Sequence, residues 1–125
     1  MSKINHKTVT NNSKQILGKS LTRFARCSPR KVRLVVDLIR NKQAGEALNI
    51  LAFTQRPSAV PFVLRGLKAA IASAAEKHPQ PETLFVGEAI VDDAPQIKRI
   101  RPASMGRAVR VRKRNSHIFL ALTEN

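Results

Sequence analysis

Between Ile97 and Arg114 the chain places eight cationic residues in eighteen positions and no acidic one. They are Lys98, Arg99, Arg101, Arg107, Arg110, Arg112, Lys113 and Arg114. A segment this charged cannot bury itself in its own core, because unpaired buried charge is too costly. In its second half Arg110, Arg112 and Arg114 fall on one side of an extended chain and Val109 and Val111 on the other. Pro102 and Gly106 are the central breakers, which puts a turn at Ala103, Ser104, Met105 and Gly106. Two extended arms joined there make a long β-hairpin over about residues 92–116, continuing its flanking strands beyond the body of the domain. A two-stranded ribbon of this kind is marginal alone in water, so a polyanion should hold it.

The flanks show period two. In Thr83 to Val91, Leu84, Val86, Glu88 and Ile90 share one face, with Phe85, Gly87, Ala89 and Val91 on the other. His117 to Thr123 alternates Ile118, Leu120 and Leu122 with Phe119, Ala121 and Thr123. Upstream the period is helical. Ser28 and Pro29 supply an N-cap and a first helical position, followed by a stripe of Val32, Val35, Val36 and Ile39, widened by Leu34 and Leu38. A second helix spans Ala44 to Phe53, with Ala47, Leu48, Leu51 and Ile50 on its buried side. The third and longest runs from Ala59 to Lys77 on Val60, Leu64, Leu67, Ala70, Ile71 and Ala74, with Pro61 confined to its first turn. Its alanines allow close approach to a neighbour. Ser20 to Arg26 alternates weakly and reads as an edge strand. Folded structure is expected from Leu21 onward as one domain, 21–125, behind a flexible, mildly basic arm at 1–20.

Charge narrows the function. Twenty-three Lys and Arg against eight Asp and Glu give a formal net charge of +15. Self-repulsion at that density is best tolerated beside a polyanion, either nucleic acid or an anionic membrane. No run of 18 apolar residues exists, so no membrane insertion is expected. Cys27 is the single cysteine, which excludes an intramolecular disulfide framework. His6, His78 and His117 are dispersed, and Asp92 and Asp93 are adjacent, so they would point apart in a strand. Neither a metal set nor an acid–base pair follows; an enzyme is not expected, nor a cofactor. Asp92 and Asp93 are better suited to holding the bend or pairing with hairpin arginines.

Arginine dominates the basic hairpin, and its planar fork suits phosphate and can stack on bases. A second basic group, Arg23, Arg26, Arg30, Lys31 and Arg33, surrounds the first helix start, whose N–H groups and dipole also attract phosphate. With no tryptophan or tyrosine and five phenylalanines, there is little to build a single-strand stacking platform. Folded RNA recognised by shape and backbone is the expected partner. The alternative on physical grounds is a DNA-architectural protein that inserts a basic β-arm into the minor groove.

Four segments in order carry a family resemblance: Ser28-Pro29-Arg30-Lys31-Val32-Arg33-Leu34-Val35, then Ala69 to Glu76, then Val91-Asp92-Asp93-Ala94-Pro95, then Gly106 to Ile118. Together they resemble the large-subunit ribosomal protein twenty-two family over about Leu21 to Thr123. The resemblance implies an α+β fold, with three helices packed on a small three-stranded antiparallel sheet and a long protruding basic hairpin. It implies large-subunit ribosomal RNA, neighbouring large-subunit proteins and the nascent polypeptide in transit as partners; the sequence carries no signal for homo-oligomerisation, and none is expected. Arg99, Arg101, Arg107, Arg110, Arg112, Lys113 and Arg114 would grip RNA along the ribbon, together with Lys98. Arg26, Arg30, Lys31 and Arg33 would anchor the body. Ala103, Ser104, Met105 and Gly106 would form a tip facing the peptide exit tunnel. Residues 1–20 lack both the apolar stretch of a secretory signal and the arginines of a transit peptide. The expected location is therefore a ribosome in a bacterial cytoplasm or a plastid stroma.

Overall fold

Ser28 and Pro29 open the first helix as their chemistry dictates. In the computed structural model, which describes residues 15–124, helix α1 spans Pro29–Ile39 with Ser28 at the N-cap. The Ser28 carbonyl accepts the N–H groups of Lys31 and Val32, while its hydroxyl makes no capping bond. Val32, Val35, Val36 and Ile39 are buried, as the helical period requires. Leu34 and Leu38, expected to widen that stripe, are instead 60% and 48% exposed. They fall on the outer side of a helix that packs through a single face. Asn41 ends the turn at φ 61°, a left-handed conformation that asparagine tolerates, and its N–H reaches the Val86 carbonyl at 3.0 Å.

Helix α2 spans Ala44–Phe53 and buries Ala44, Ala47 and Leu51, with Leu48 and Ile50 packed partly against the core. Helix α3 spans Val60–Ala75 and holds Pro61 in its first turn, where the lost N–H has no helical partner to miss. Its buried line is Val63, Gly66, Leu67, Ala70 and Ala74, so the stripe is centred to one side of the expected one; Val60, Leu64 and Ile71 are only half-buried. The reason is its neighbour. Strand β1, Ile16–Ala25, turns the small residues Gly18, Ser20 and Thr22 toward α3. A Cβ at Gly18 would lie 2.5 Å from the Ala70 carbonyl oxygen, and the Ser20 hydroxyl donates to the Gly66 carbonyl at 2.7 Å. Small residues on both elements bring the backbones together.

Because β1 starts at Ile16, residues 16–20 belong to the sheet, ahead of the domain start expected at Leu21. The remainder of the expected arm, 1–14, lies outside the described residues.

Strands β2, Phe85–Pro102, and β3, Ala108–Thr123, complete an antiparallel sheet of order β1-β3-β2. The strictly alternating faces expected for β2 do not persist. A bulge between Val86 and Glu88 shifts the phase, so Leu84 and Val86 face the core before it, and Ala89 and Val91 after it. Ile90 is left 38% exposed. Gly87 occupies the bulge because any side chain there would collide with Thr123. The core lies between the helices and one face of the sheet, where Ile118, Leu120 and Leu122 of the central strand are fully buried. Each such side chain contributes about 1.5–3 kcal/mol through removal of apolar surface from water.

Candidate nucleic-acid interface

Beyond the body, β2 and β3 remain paired through Ile97↔Lys113, Lys98↔Arg112, Arg99↔Val111, Ile100↔Arg110, Arg101↔Val109 and Pro102↔Ala108. Paired residues share a face, so this register sorts the cations. Lys98, Arg110 and Arg112 lie on one face beside Ile100; Arg99, Arg101 and Lys113 lie on the other beside Ile97, Val109 and Val111. From the sequence, one arm alone gave a basic side and a valine side. Pairing it with the other arm makes both faces of the ribbon basic. Every residue from Lys98 to Arg114 is exposed except Ala103 and Val111, which are half-buried.

The turn is tight and left-handed. Met105 and Gly106 have φ of 62° and 68°, and the Ala103 N–H donates to the Arg107 carbonyl at 2.8 Å. Two successive left-handed residues reverse the chain within a few positions, and they push the Met105 side chain out to 97% exposure. Ser104 is exposed beside it.

Where ribbon meets body, β2 bulges again between Ala94 and Ile97. The buried Asn115 side chain spans this irregularity by donating to the Pro95 carbonyl at 3.0 Å. The two basic groups that are separate in sequence come together here. Arg26 from the bend between β1 and α1, Lys31 from the first turn of α1, and Arg99, Arg112, Lys113 and Arg114 from the ribbon line one open cleft of about 610 Å³. Ser28, Ser58, Cys27, Ile97 and Asn115 complete its wall, and no acidic residue does. Asn115 and Ser58 gave no chemical signal in the sequence, since a lone amide and a lone hydroxyl have no diagnostic spacing.

The remaining body cations are placed differently. Arg23 is exposed on β1 and Arg30 on the first turn of α1. Arg33 is turned toward the protein: it donates to the Val91 carbonyl at 3.1 Å and lies 4.0 Å from Asp93. Asp93 thus meets a helix arginine and not one from the hairpin. The Phe24 N–H, at a residue with φ 53°, donates to Nδ1 of buried His117, and the two rings meet edge-on at 4.9 Å. His117 is engaged in packing the end of β1. Among the described residues no group of His, Cys, Asp and Glu could hold a metal ion, and no helix is long and apolar enough to cross a membrane.

An α+β body bearing a ribbon that is cationic on both faces defines a polyanion-binding protein. The family model described as Ribosomal protein L22p/L17e matches residues 20–123. Among curated proteins, the large ribosomal subunit protein uL22 of Oceanobacillus iheyensis is 48% identical over 86% of this chain and 95% of its own length. That of Caldicellulosiruptor saccharolyticus is 45% identical over 94% of this chain and 97% of its own length. The chain belongs to the ribosomal protein L22p/L17e family. Its fold is the three helices and three-stranded antiparallel sheet that the resemblance implied.

Proposed function

We infer that the protein is a structural constituent of the large ribosomal subunit, working on the ribosome in a bacterial-type cytoplasm. It binds and braces the large-subunit RNA among neighbouring ribosomal proteins, and it is not an enzyme. Family membership supports this class, and the DNA-architectural alternative finds no support in it.

The observation that carries the mechanism is the two-sided ribbon. Lys98, Arg110 and Arg112 can neutralise phosphates on one side while Arg99, Arg101 and Lys113 do so on the other. Such a ribbon lowers the repulsion between RNA strands that pass on its two sides, and so ties them together. Arg107 and Arg114 extend the grip toward the tip and the base, and Arg23, Arg26, Arg30 and Lys31 anchor the body. Arg33 contributes chiefly by holding α1 to β2. The turn at Ala103, Ser104, Met105 and Gly106 lies roughly 30 Å beyond Asp93 at the rise of an extended chain. That reach supports placing it at the wall of the peptide exit tunnel, where the exposed Met105 would meet the nascent polypeptide.

Sucrose-gradient sedimentation of a lysate, traced by immunoblot before and after a high-salt wash, tests the assignment. Salt-resistant migration with the large subunit is expected. A signal confined to chromosomal DNA or to the free fraction would overturn it.

A further inference from the structure

The cleft at the base of the ribbon is the wrong shape for a duplex backbone. A-form RNA presents its phosphates on a convex surface, whereas this site is a half-open groove between the residues around the start of α1 and the base of the ribbon. It is also too large for a phosphate alone. At about 610 Å³ it falls within the range of pockets that take whole small molecules, about 300–1,000 Å³. Its walls are chemically mixed. Ile97 and Cys27 supply apolar surface, and Arg99 and Arg112 are among the lining residues, in a chain without tryptophan or tyrosine.

Hydrogen-bonding groups are present as well. Asn115 is only 6% exposed, and its side chain donates a single bond, to the Pro95 carbonyl. Asn115 is itself one of the residues that line the cleft. The Ser28 hydroxyl lines the same cleft and caps nothing. Lys31, Arg26 and Lys113 stand where a phosphate attached to the bound group would need counter-charge.

We propose that this cleft receives a single unpaired nucleotide of the RNA, its base stacked on an arginine plane and its phosphate held by the surrounding cations. The proposal rests on the RNA-binding function inferred above, and it names what that site selects: an extruded or bulged residue over continuous duplex. Unstacked nucleotides are the features of folded RNA whose base edges and faces a protein can reach. An arginine plane can take the stacking place of an aromatic ring.

Two short RNA duplexes separate the possibilities, one fully paired and one carrying a single unpaired fluorescent aminopurine nucleotide. Each is titrated with the full chain and with a charge-conserving double variant, Arg99→Lys with Arg112→Lys. The native protein should bind the bulged RNA roughly tenfold to a hundredfold more tightly than the paired one, as one stacked base contributes. Aminopurine fluorescence should change on binding. In the lysine variant the ratio of the two affinities, measured on the same protein, should collapse toward one whatever happens to its overall affinity, because lysine retains charge without a stacking plane. Equal affinity of the native protein for both RNAs would overturn the nucleotide seat while leaving RNA binding intact. So would an undiminished preference in the lysine variant. Failure to bind either RNA would overturn the RNA-binding function itself.

Discussion

If RNA touches the ribbon on both sides, neutralising either face should weaken binding, and the two effects should accumulate. One variant replaces Lys98, Arg110 and Arg112 with glutamine; a second replaces Arg99, Arg101 and Lys113, the residues that the strand register places on the opposite face. Removing one cation from a phosphate lowers the magnitude of the log-affinity versus log-salt slope by about 0.7–0.9, so each triple should lower it by about 2–3. At fixed salt, three exposed charge pairings at about 0.5–1 kcal/mol each correspond to a weakening of roughly 10- to 100-fold. Fluorescence anisotropy with a labelled large-subunit RNA fragment, in salt from about 50 to 200 mM, measures both quantities. Folding is a controlled variable. These side chains are exposed, so urea midpoints should shift by no more than about 0.5 kcal/mol in equivalent stability. A triple that leaves slope and affinity unchanged would mean that RNA lies on one face only, and the bracing mechanism would be wrong.

Three further outcomes follow from the packing. Gly18→Val should destabilise the protein by about 1–3 kcal/mol or more in urea titration, because its Cβ meets Ala70 and Ala74 of α3 with no room to move apart. Arg33→Met should cost about 0.5–1.5 kcal/mol by removing the bond to the Val91 carbonyl, while the salt slope of RNA binding stays at its native value. Asn41→Val should cost about 1–2 kcal/mol, since a β-branched residue is strained at φ 61°; Asn41→Gly should be neutral or slightly stabilising by the same measurement.

The hairpin arms, their turn and all three helices were legible in the sequence because each carries a local signal. Period two, an acid-free charge run, Pro102 with Gly106, and Ser28 with Pro29 all act within a few residues. What escaped was set by partners distant in the chain. The phase of β2 depends on a bulge whose local mark is one glycine, and the need for that glycine comes from Thr123. Ile16 to Ser20 read as arm because they close a polar, mildly basic stretch; the small size of Gly18 and Ser20 is explained by α3 lying against them. Leu34 and Leu38 resemble core until the single packed face of α1 is known. The cations of the site were all visible, but two facts about them were not. Pairing of the two arms distributes charge to both faces, and folding brings Arg26 and Lys31 against Arg99, Arg112, Lys113 and Arg114.

Strand β3 runs without interruption from Ala108 beside the tip to Thr123 inside the body, so one continuous element joins the distal cations to the hydrophobic core. If both grip RNA as proposed, body and ribbon are two binding modules on one continuous strand, and their grips combine by avidity. Once the body is docked, the ribbon meets its target at a high effective concentration, but only where the second RNA segment already stands at the strand's distance and angle. Where that segment is misplaced the second grip contributes nothing, and the weaker, singly held complex dissociates quickly. A molecule bound in this way would stay longest on RNA that has folded correctly, and residence time itself would then favour properly assembled particles.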